Sequence, residues 1–329
     1  MHAAIIGIPG PTLDAESRAL LRAYPPAGVI LFGRNVQSRD QLAALLADLR
    51  KALPAEAVLM VDQEGGRVAR LRPPAFDAFP AARRIGELHT RNPQTGLRAA
   101  FLAGASIGLT CSGLGFDVVC APVLDLPAPG ADQVIGDRAF GPEPESVAAL
   151  GRAFAEGLGQ GGVQPVMKHM PGHGRAQVDS HLALPELNAP HDDELEPFRR
   201  NADLPWGMTA HILFRDLDAV RPATQSRRVI SDVIRGRVGF GGVLVTDDLA
   251  MQALSGPPAL RAVRALEAGC DLALFCPGGP RDNRAVLAAC AEVTPDTLAR
   301  LAAARDWVKT RKTELDLAAI TAEREALLA

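Results

Sequence analysis

Eight short apolar runs, with amphipathic segments between them, constrain the fold of this chain more than any other feature. They are residues 3–8, 28–33, 57–62, 116–124, 163–169, 206–213, 242–247 and 271–276. Most are aliphatic or β-branched at consecutive positions, the pattern of parallel strands covered on both faces. In the clearest intervening segment, Leu42, Leu45, Leu46 and Leu49 fall at i, i+3, i+4 and i+7 and make one apolar stripe. Ser38 and Gln41 read as its capping box. Eight strand-helix repeats in 329 residues predict a single-domain (β/α)8 TIM barrel over 1–329, with further helices from about 296. A doubly wound open sheet is the alternative. It is disfavoured because the first strand turn, Gly7-Ile8-Pro9-Gly10, has no dinucleotide-binding fingerprint.

A barrel carries its functional groups after the C-terminal ends of its strands. The polar residues obey that demand. Asp62-Gln63-Glu64-Gly65-Gly66-Arg67 follows the third run, Asp125 the fourth, Lys168-His169 the fifth, His211 the sixth and Asp247-Asp248 the seventh. Three of the seven histidines, His169, His173 and His181, lie within thirteen residues around a Pro171-Gly172 turn. Histidine changes charge near neutral pH, so a catalytic loop is expected there.

Composition narrows the partners. Aromatic residues make up 4% of the chain and Tyr24 is its sole tyrosine, which argues against a base-stacking platform. The formal charge of −3 offers nothing to a polyanion, so no nucleic-acid partner is expected. The pairs Arg83-Arg84 and Arg227-Arg228 read as solvated helix ends. Cys111, Cys120, Cys270, Cys276 and Cys290 are odd in number, scattered and without a CxxC pair, which predicts a reducing compartment. The opening Ala3-Ala4-Ile5-Ile6 is too short for a signal h-region. No run is expected to approach the roughly eighteen apolar residues of a membrane span. The expectation is a cytoplasmic protein with no membrane partner; its oligomeric state is not readable.

Several rim residues admit two readings. Strand alternation sends Asp247 and Asp248 to opposite sides, so one faces the barrel axis as a nucleophile or charge stabiliser while the other caps the next helix. Asp179 beside His181 either fixes the imidazole tautomer, as the acid of a triad does, or closes a surface Asp-Ser-His turn. His173, between two glycines, reads as a turn residue. Gly65-Gly66 suggests close approach of backbone to a ligand, with Arg67 and Arg70 free to hydrogen-bond. Glu64 competes as an acid, and Arg138 reads as a loop salt bridge. His169, His173, His181, His211 and Asp247 together raise a metal site, but Pro171-Gly172 breaks the helical His-x3-His spacing. No metal and no cofactor are expected.

Lys168-His169-Met170-Pro171-Gly172-His173-Gly174, Asp179-Ser180-His181, Val61-Asp62-Gln63-Glu64-Gly65-Gly66-Arg67-Val68 and Val245-Thr246-Asp247-Asp248-Leu249-Ala250-Met251 together resemble glycoside hydrolase family 3. The set is most similar to its single-domain bacterial β-N-acetylglucosaminidases of cell-wall recycling. The resemblance runs in order from about residue 25 to 280. It implies a (β/α)8 barrel and a retaining, two-step hydrolysis without cofactor. Carried over by motif, the nucleophile is Asp247 and the general acid/base is His181 paired with Asp179. Asp62, Arg70, Arg138, Lys168 and His169 would hold a terminal N-acetylglucosamine. The implied substrate is a muropeptide fragment in which N-acetylglucosamine is β-1,4 linked to 1,6-anhydro-N-acetylmuramic acid.

Retaining glycosidases ordinarily pair two carboxyl groups roughly 5–5.5 Å apart; here one member would be an imidazole on a loop that moves over the sugar. Met170 stands where many relatives carry an aromatic residue. Alternation would also part Lys168 from His169, whereas the resemblance has both touching sugar. The competing readings are a β-N-acetylglucosaminide phosphorylase on the same scaffold, a metal-dependent barrel hydrolase, and a sugar-binding protein without catalysis.

Overall fold

A computed structural model describes residues 1–329. Eight parallel strands follow one another around a barrel: β1 His2–Gly7, β2 Pro26–Leu31, β3 Val58–Val61, β4 Val118–Val119, β5 Gln164–Met170, β6 Trp206–Thr209, β7 Val243–Val245 and β8 Ala273–Phe275. Each is bonded to its neighbours in chain order, and β8 returns to β1 with Ala4 opposite Ala273 and Ile6 opposite Phe275. Between β7 and β8 the ring is closed by a bridge, Val245 to Leu272, and by the Leu249 N–H donating to the Leu274 carbonyl at 2.9 Å. This is the expected (β/α)8 barrel, not an open sheet.

The consecutive apolar residues in each run have two destinations. Ile5, Ile30, Met60, Cys120, Val166, Met208, Val245 and Leu274 fill the barrel interior. Their chain neighbours, among them Ile6, Leu31, Leu59, Met167, Leu244 and Phe275, pack outward under the helices. A strand buried on both faces has no polar side to alternate with. Leu42, Leu45, Leu46 and Leu49 cover that outer layer from helix Arg39–Ala52, which Ser38 and Gln41 cap as expected. Leu301 and Ala304 of helix Pro295–Lys309 join the interior cluster. Helix Leu317–Leu328 packs on helix Pro93–Leu114.

Three expectations need correction. The run 116–124 forms a regular strand only over Val118–Val119. Pro122 has no N–H to give the ladder, and pairing resumes at Val123, opposite Lys168. The run 206–213 leaves the barrel after Thr209. Leu213–Phe214 pairs instead with Glu186–Leu187 in a small two-stranded sheet outside the rim. Finally, helix Pro93–Leu114 is 22 residues long and apolar enough to cross a membrane by length and composition, contrary to the expectation that no run would be. Its apolar residues are consumed inside the fold. A Cβ at Gly104 would sit 2.1 Å from the carbonyl oxygen of Phe154, so glycine lets this helix lie directly on the backbone of helix Pro144–Gln160.

Candidate active site

The C-terminal ends of the strands surround one cavity of about 450 Å³. Every site residue that the family resemblance implies lines it: Asp62, Arg70, Arg138, Lys168, His169, Asp179, His181 and Asp247.

On one side of the cavity is a charged lattice. Asp62, just past β3, accepts from Lys168 Nζ at 2.8 Å and from Arg70 at 2.6 Å. Glu64 accepts both forks of the Arg138 guanidinium at 2.8 Å and lies 2.6 Å from Lys168 Nζ. Burial pushes the Glu64 carboxyl up, but Lys168 and Arg138 overcome it and bring it down to about 2. Burial likewise opposes the Lys168 charge, and Asp62 and Glu64 outweigh it and raise the ammonium above the ordinary lysine range. Glu64 is therefore not a free acid. It is buried beneath the cavity wall as a clamp on two cations whose other faces remain open to a ligand.

The turn after β5 is organised by Asp125, a fully buried carboxylate past β4. It accepts from His169 Nδ1 at 2.7 Å and from the His173 N–H at 2.7 Å. Burial raises the Asp125 carboxyl, and the His169 and His173 imidazoles with their hydrogen bonds bring it below its usual value. His169 turns its Nε2 to the cavity, 3.3 Å from Arg138. The Lys168-His169 peptide is cis, and both side chains line the cavity. Met170 is fully buried against Gly207, so it keeps the apolar packing of an aromatic residue there.

Asp247 and Asp248 divide the work left open by their adjacency. Asp248 accepts from the N–H groups of Ala250 and Cys276 at 3.0 and 3.1 Å, which closes the turn after β7 and ties it to the end of β8. No helix begins there: the next starts at Pro258. Asp247 accepts only from the Asp248 N–H, at 2.8 Å, and otherwise faces the cavity. Burial pushes its carboxyl up, yet His169, His211, the Asp248 N–H and Lys168 together hold it below the usual carboxylate range. Asp247 is thus a carboxylate at neutral pH, without a direct cation partner to blunt it. His211 does not reach the cavity. It donates from Nε2 to the Asp248 carbonyl at 3.0 Å and meets the Thr224 hydroxyl at Nδ1, 2.7 Å away, so it props the turn from behind.

Another part of the wall is the loop 171–184, which brings His173, Asp179, Ser180 and His181 to the cavity. Its base is pinned to the chain after β4, where the Asp132 N–H donates to the Ala176 carbonyl at 2.8 Å. Its tip lies against the segment after β7, with Ala253 N–H donating to the Ser180 carbonyl at 3.2 Å. There Asp179 accepts both the His181 N–H, at 2.8 Å, and Nδ1, at 2.7 Å. The Asp-Ser-His turn and the side-chain dyad are therefore one structure, not alternatives. With Nδ1 engaged, Nε2 is the nitrogen His181 has left to present, and the ring is more than half exposed. Burial opposes the Asp179 charge, and the two bonds from His181 overcome it and lower its carboxyl.

One sequence reading does not survive. Gly65-Gly66 makes room for protein, since a Cβ at Gly65 would lie 2.3 Å from the Pro80 carbonyl oxygen and at Gly66 2.8 Å from Ala81. Arg67 does line the cavity, and it also braces the 133–137 chain: it donates to Asp137 at 2.7 Å and to the carbonyls of Gln133 and Val134. That chain carries Gln133 and Ile135 into the cavity wall. Phe32, beyond β2, also lines the cavity and was missed, although an aromatic ending a strand run marked it. No three His, Cys, Asp or Glu side chains are grouped as metal ligands.

Comparison with known proteins agrees with this geometry. Residues 5–297 match the glycosyl hydrolase family 3 N terminal domain. A β-hexosaminidase of Bordetella avium is 39% identical over 280 residues, 83% of this chain and 79% of that protein. One from Chromobacterium violaceum is 38% identical over 98% of this chain and 93% of its own length. The crystal structure of NagZ from Neisseria gonorrhoeae in complex with N-trifluoroacetyl-D-glucosamine superposes with a TM-score of 0.88 at 31% identity, covering 100% of this chain and 98% of that one. With the barrel, the rim motifs and these relatives in agreement, the chain belongs to glycosyl hydrolase family 3, beside its β-hexosaminidases, and is a glycoside hydrolase.

Proposed function

We propose that the protein is a retaining exo-β-N-acetylglucosaminidase acting on cell-wall muropeptide fragments, with Asp247 as nucleophile and His181 as general acid/base. One observation carries this reading. An ionised Asp247 and an imidazole backed by Asp179 line the same cavity, together with a lattice of donors and acceptors suited to sugar hydroxyls.

In the first step the Asp247 carboxylate bonds to the anomeric carbon as the glycosidic C–O bond breaks. The departing oxygen takes the Nε2 proton of His181. In the second, Nε2 takes a proton from water, the water oxygen bonds to the anomeric carbon, and Asp247 leaves as a carboxylate. Asp179 holds Nδ1 through both steps and stabilises the imidazolium that forms. Asp62, Arg70, Lys168, Arg138 and His169 hold the terminal sugar, with the first four fixed in place by their ion pairs before it arrives. The match to a NagZ bound to an N-acylated glucosamine supports the amino-sugar preference. Five free, buried cysteines support a reducing compartment, the cytoplasm, as the site of action.

The test is release of p-nitrophenol from its β-N-acetylglucosaminide by EDTA-treated protein. Wild-type turnover that survives chelation and vanishes in Asp247→Ala is expected. Turnover that needs zinc restored would favour a metal-dependent hydrolase. Turnover that appears only with phosphate, yielding a sugar 1-phosphate, would favour the phosphorylase.

A further inference from the structure

A second cavity of about 680 Å³ opens behind the loop that carries His181. Three guanidiniums, Arg221, Arg227 and Arg264, line it against a single carboxylate, Glu267, on a chain whose formal charge is −3. The positive charge is therefore local. Arg227 is partly engaged, donating to the Glu267 carbonyl at 2.8 Å. Arg221 and Arg264 are exposed and make no ion pair. Beside them the lining mixes apolar residues, Leu184, Pro222 and Ala253 among them, with the polar Gln225 and Ser255.

The location gives this groove its meaning. Its wall is shared with the catalytic cavity: Ser180, His181 and Met251 face that cavity, whereas Leu184 and Ala253 face the groove. The two segments are bonded across the divide, Ala253 N–H to the Ser180 carbonyl. Leu182, on the same loop, is 69% exposed. His181 to Leu184 is three residues, a span of about 10 Å at full extension.

We infer that this groove is a subsite for the aglycone, taking a carboxylate-bearing peptide attached to the sugar that leaves. This rests on the glycosidase reading above and specifies the far end of the same substrate. An aglycone released beside His181 passes over Leu182, lays its apolar part on Leu184 and Ala253, and brings its carboxylates to Arg221 and Arg264. Guanidinium is the side chain best matched to a carboxylate, through two parallel donors. The surplus of guanidiniums over the single Glu267 would turn away an aglycone with the opposite charge.

The test compares wild type with the double variant Arg221→Ala/Arg264→Ala, neither residue being part of the catalytic cavity. Three β-N-acetylglucosaminides serve as probes: p-nitrophenyl, a muramyl peptide with free carboxylates, and the same muramyl peptide with its carboxylates amidated. Two exposed charge pairs predict about a tenfold rise in KM for the free-carboxylate substrate in the variant, with kcat unchanged. The p-nitrophenyl and amidated substrates should not distinguish the two proteins, and raised salt should erase the difference. Equal loss on all three probes, or none on any, would overturn the subsite. Binding of the free muramyl peptide, followed by calorimetry, gives an answer independent of turnover. Wild-type binding lost in the variant supports the groove even if no glycoside is hydrolysed, an outcome that would overturn the glycosidase reading alone. Equal affinity of both proteins would overturn the groove.

Discussion

His173 Nε2 and the Ser180 hydroxyl are hydrogen-bonded at 3.1 Å in the protein interior, and this bond ties the turn after β5 to the loop that carries His181. His173 is itself set by Asp125, which accepts its N–H at 2.7 Å and the Nδ1 of His169. A chain of contacts thus runs from a buried carboxylate on the barrel to the residue next to the proposed acid/base.

Breaking that link should disturb catalysis more than binding. One buried hydrogen bond is worth about 0.5–1.5 kcal/mol, a factor of roughly 2–10. Ser180→Ala is expected to lower kcat by that factor with little change in KM. His173→Gln and the double variant should lose no more than the worse single change, because either substitution removes the same bond. Additive losses would show that the two residues act separately.

The same histidine sets an acid limit on stability. Burial pushes His173 down to about 4 from the ordinary 6.5. Between those values the unfolded chain binds a proton that the folded chain refuses, so stability falls as pH drops from about 6.5 to 4. The loss is on the order of 3 kcal/mol. Burial lowers His211 too and adds in the same direction. Denaturant melts across this window should flatten in His173→Gln. An unchanged slope would contradict the assignment.

Glu64 should matter as much as any residue touching sugar. It holds Arg138 and Lys168 while nearly excluded from solvent. Glu64→Gln leaves Arg138 without an ion pair and Lys168 with Asp62 alone, and removal of one partner from such a cluster costs about 3–5 kcal/mol. A large fall in the denaturation midpoint is expected, together with a raised KM in whatever protein remains folded. A near-neutral change would show that water replaces the clamp.

Leaving-group dependence separates the two proposed steps. His181→Ala should lose roughly 10²–10⁴-fold on poor leaving groups, the usual scale of acid catalysis. In the glycosylation step it should lose far less with p-nitrophenol, which departs without a proton. Equal losses across leaving groups would remove His181 from the acid role.

The barrel was readable in the sequence because its strands are apolar at successive positions, as Ile5 inside and Ile6 outside illustrate. Pro122 cut short what looked like a long fourth strand, for want of one N–H. The rim residues that end strands were likewise readable from their position. Their alliances were not. Glu64 and Arg138 are 74 residues apart, and only barrel closure brings them together. Gly65 looked like a ligand contact because a glycine looks alike whether it faces a substrate or another part of the chain. Neither Ser180 nor Asp125 stood out as a support, since a serine in a loop and an aspartate after a strand carry no sign of the histidine they will meet.

The central claim is that Asp247 becomes covalently bonded to the sugar. In His181→Ala mixed with p-nitrophenyl β-N-acetylglucosaminide, the first step needs no acid, while the second lacks its base. Intact-protein mass spectrometry should find one added N-acetylhexosaminyl group, on a peptide containing Asp247. The adduct should be absent when Asp247→Ala is added to the same protein. Turnover without any adduct, or an adduct that persists without Asp247, would contradict the account.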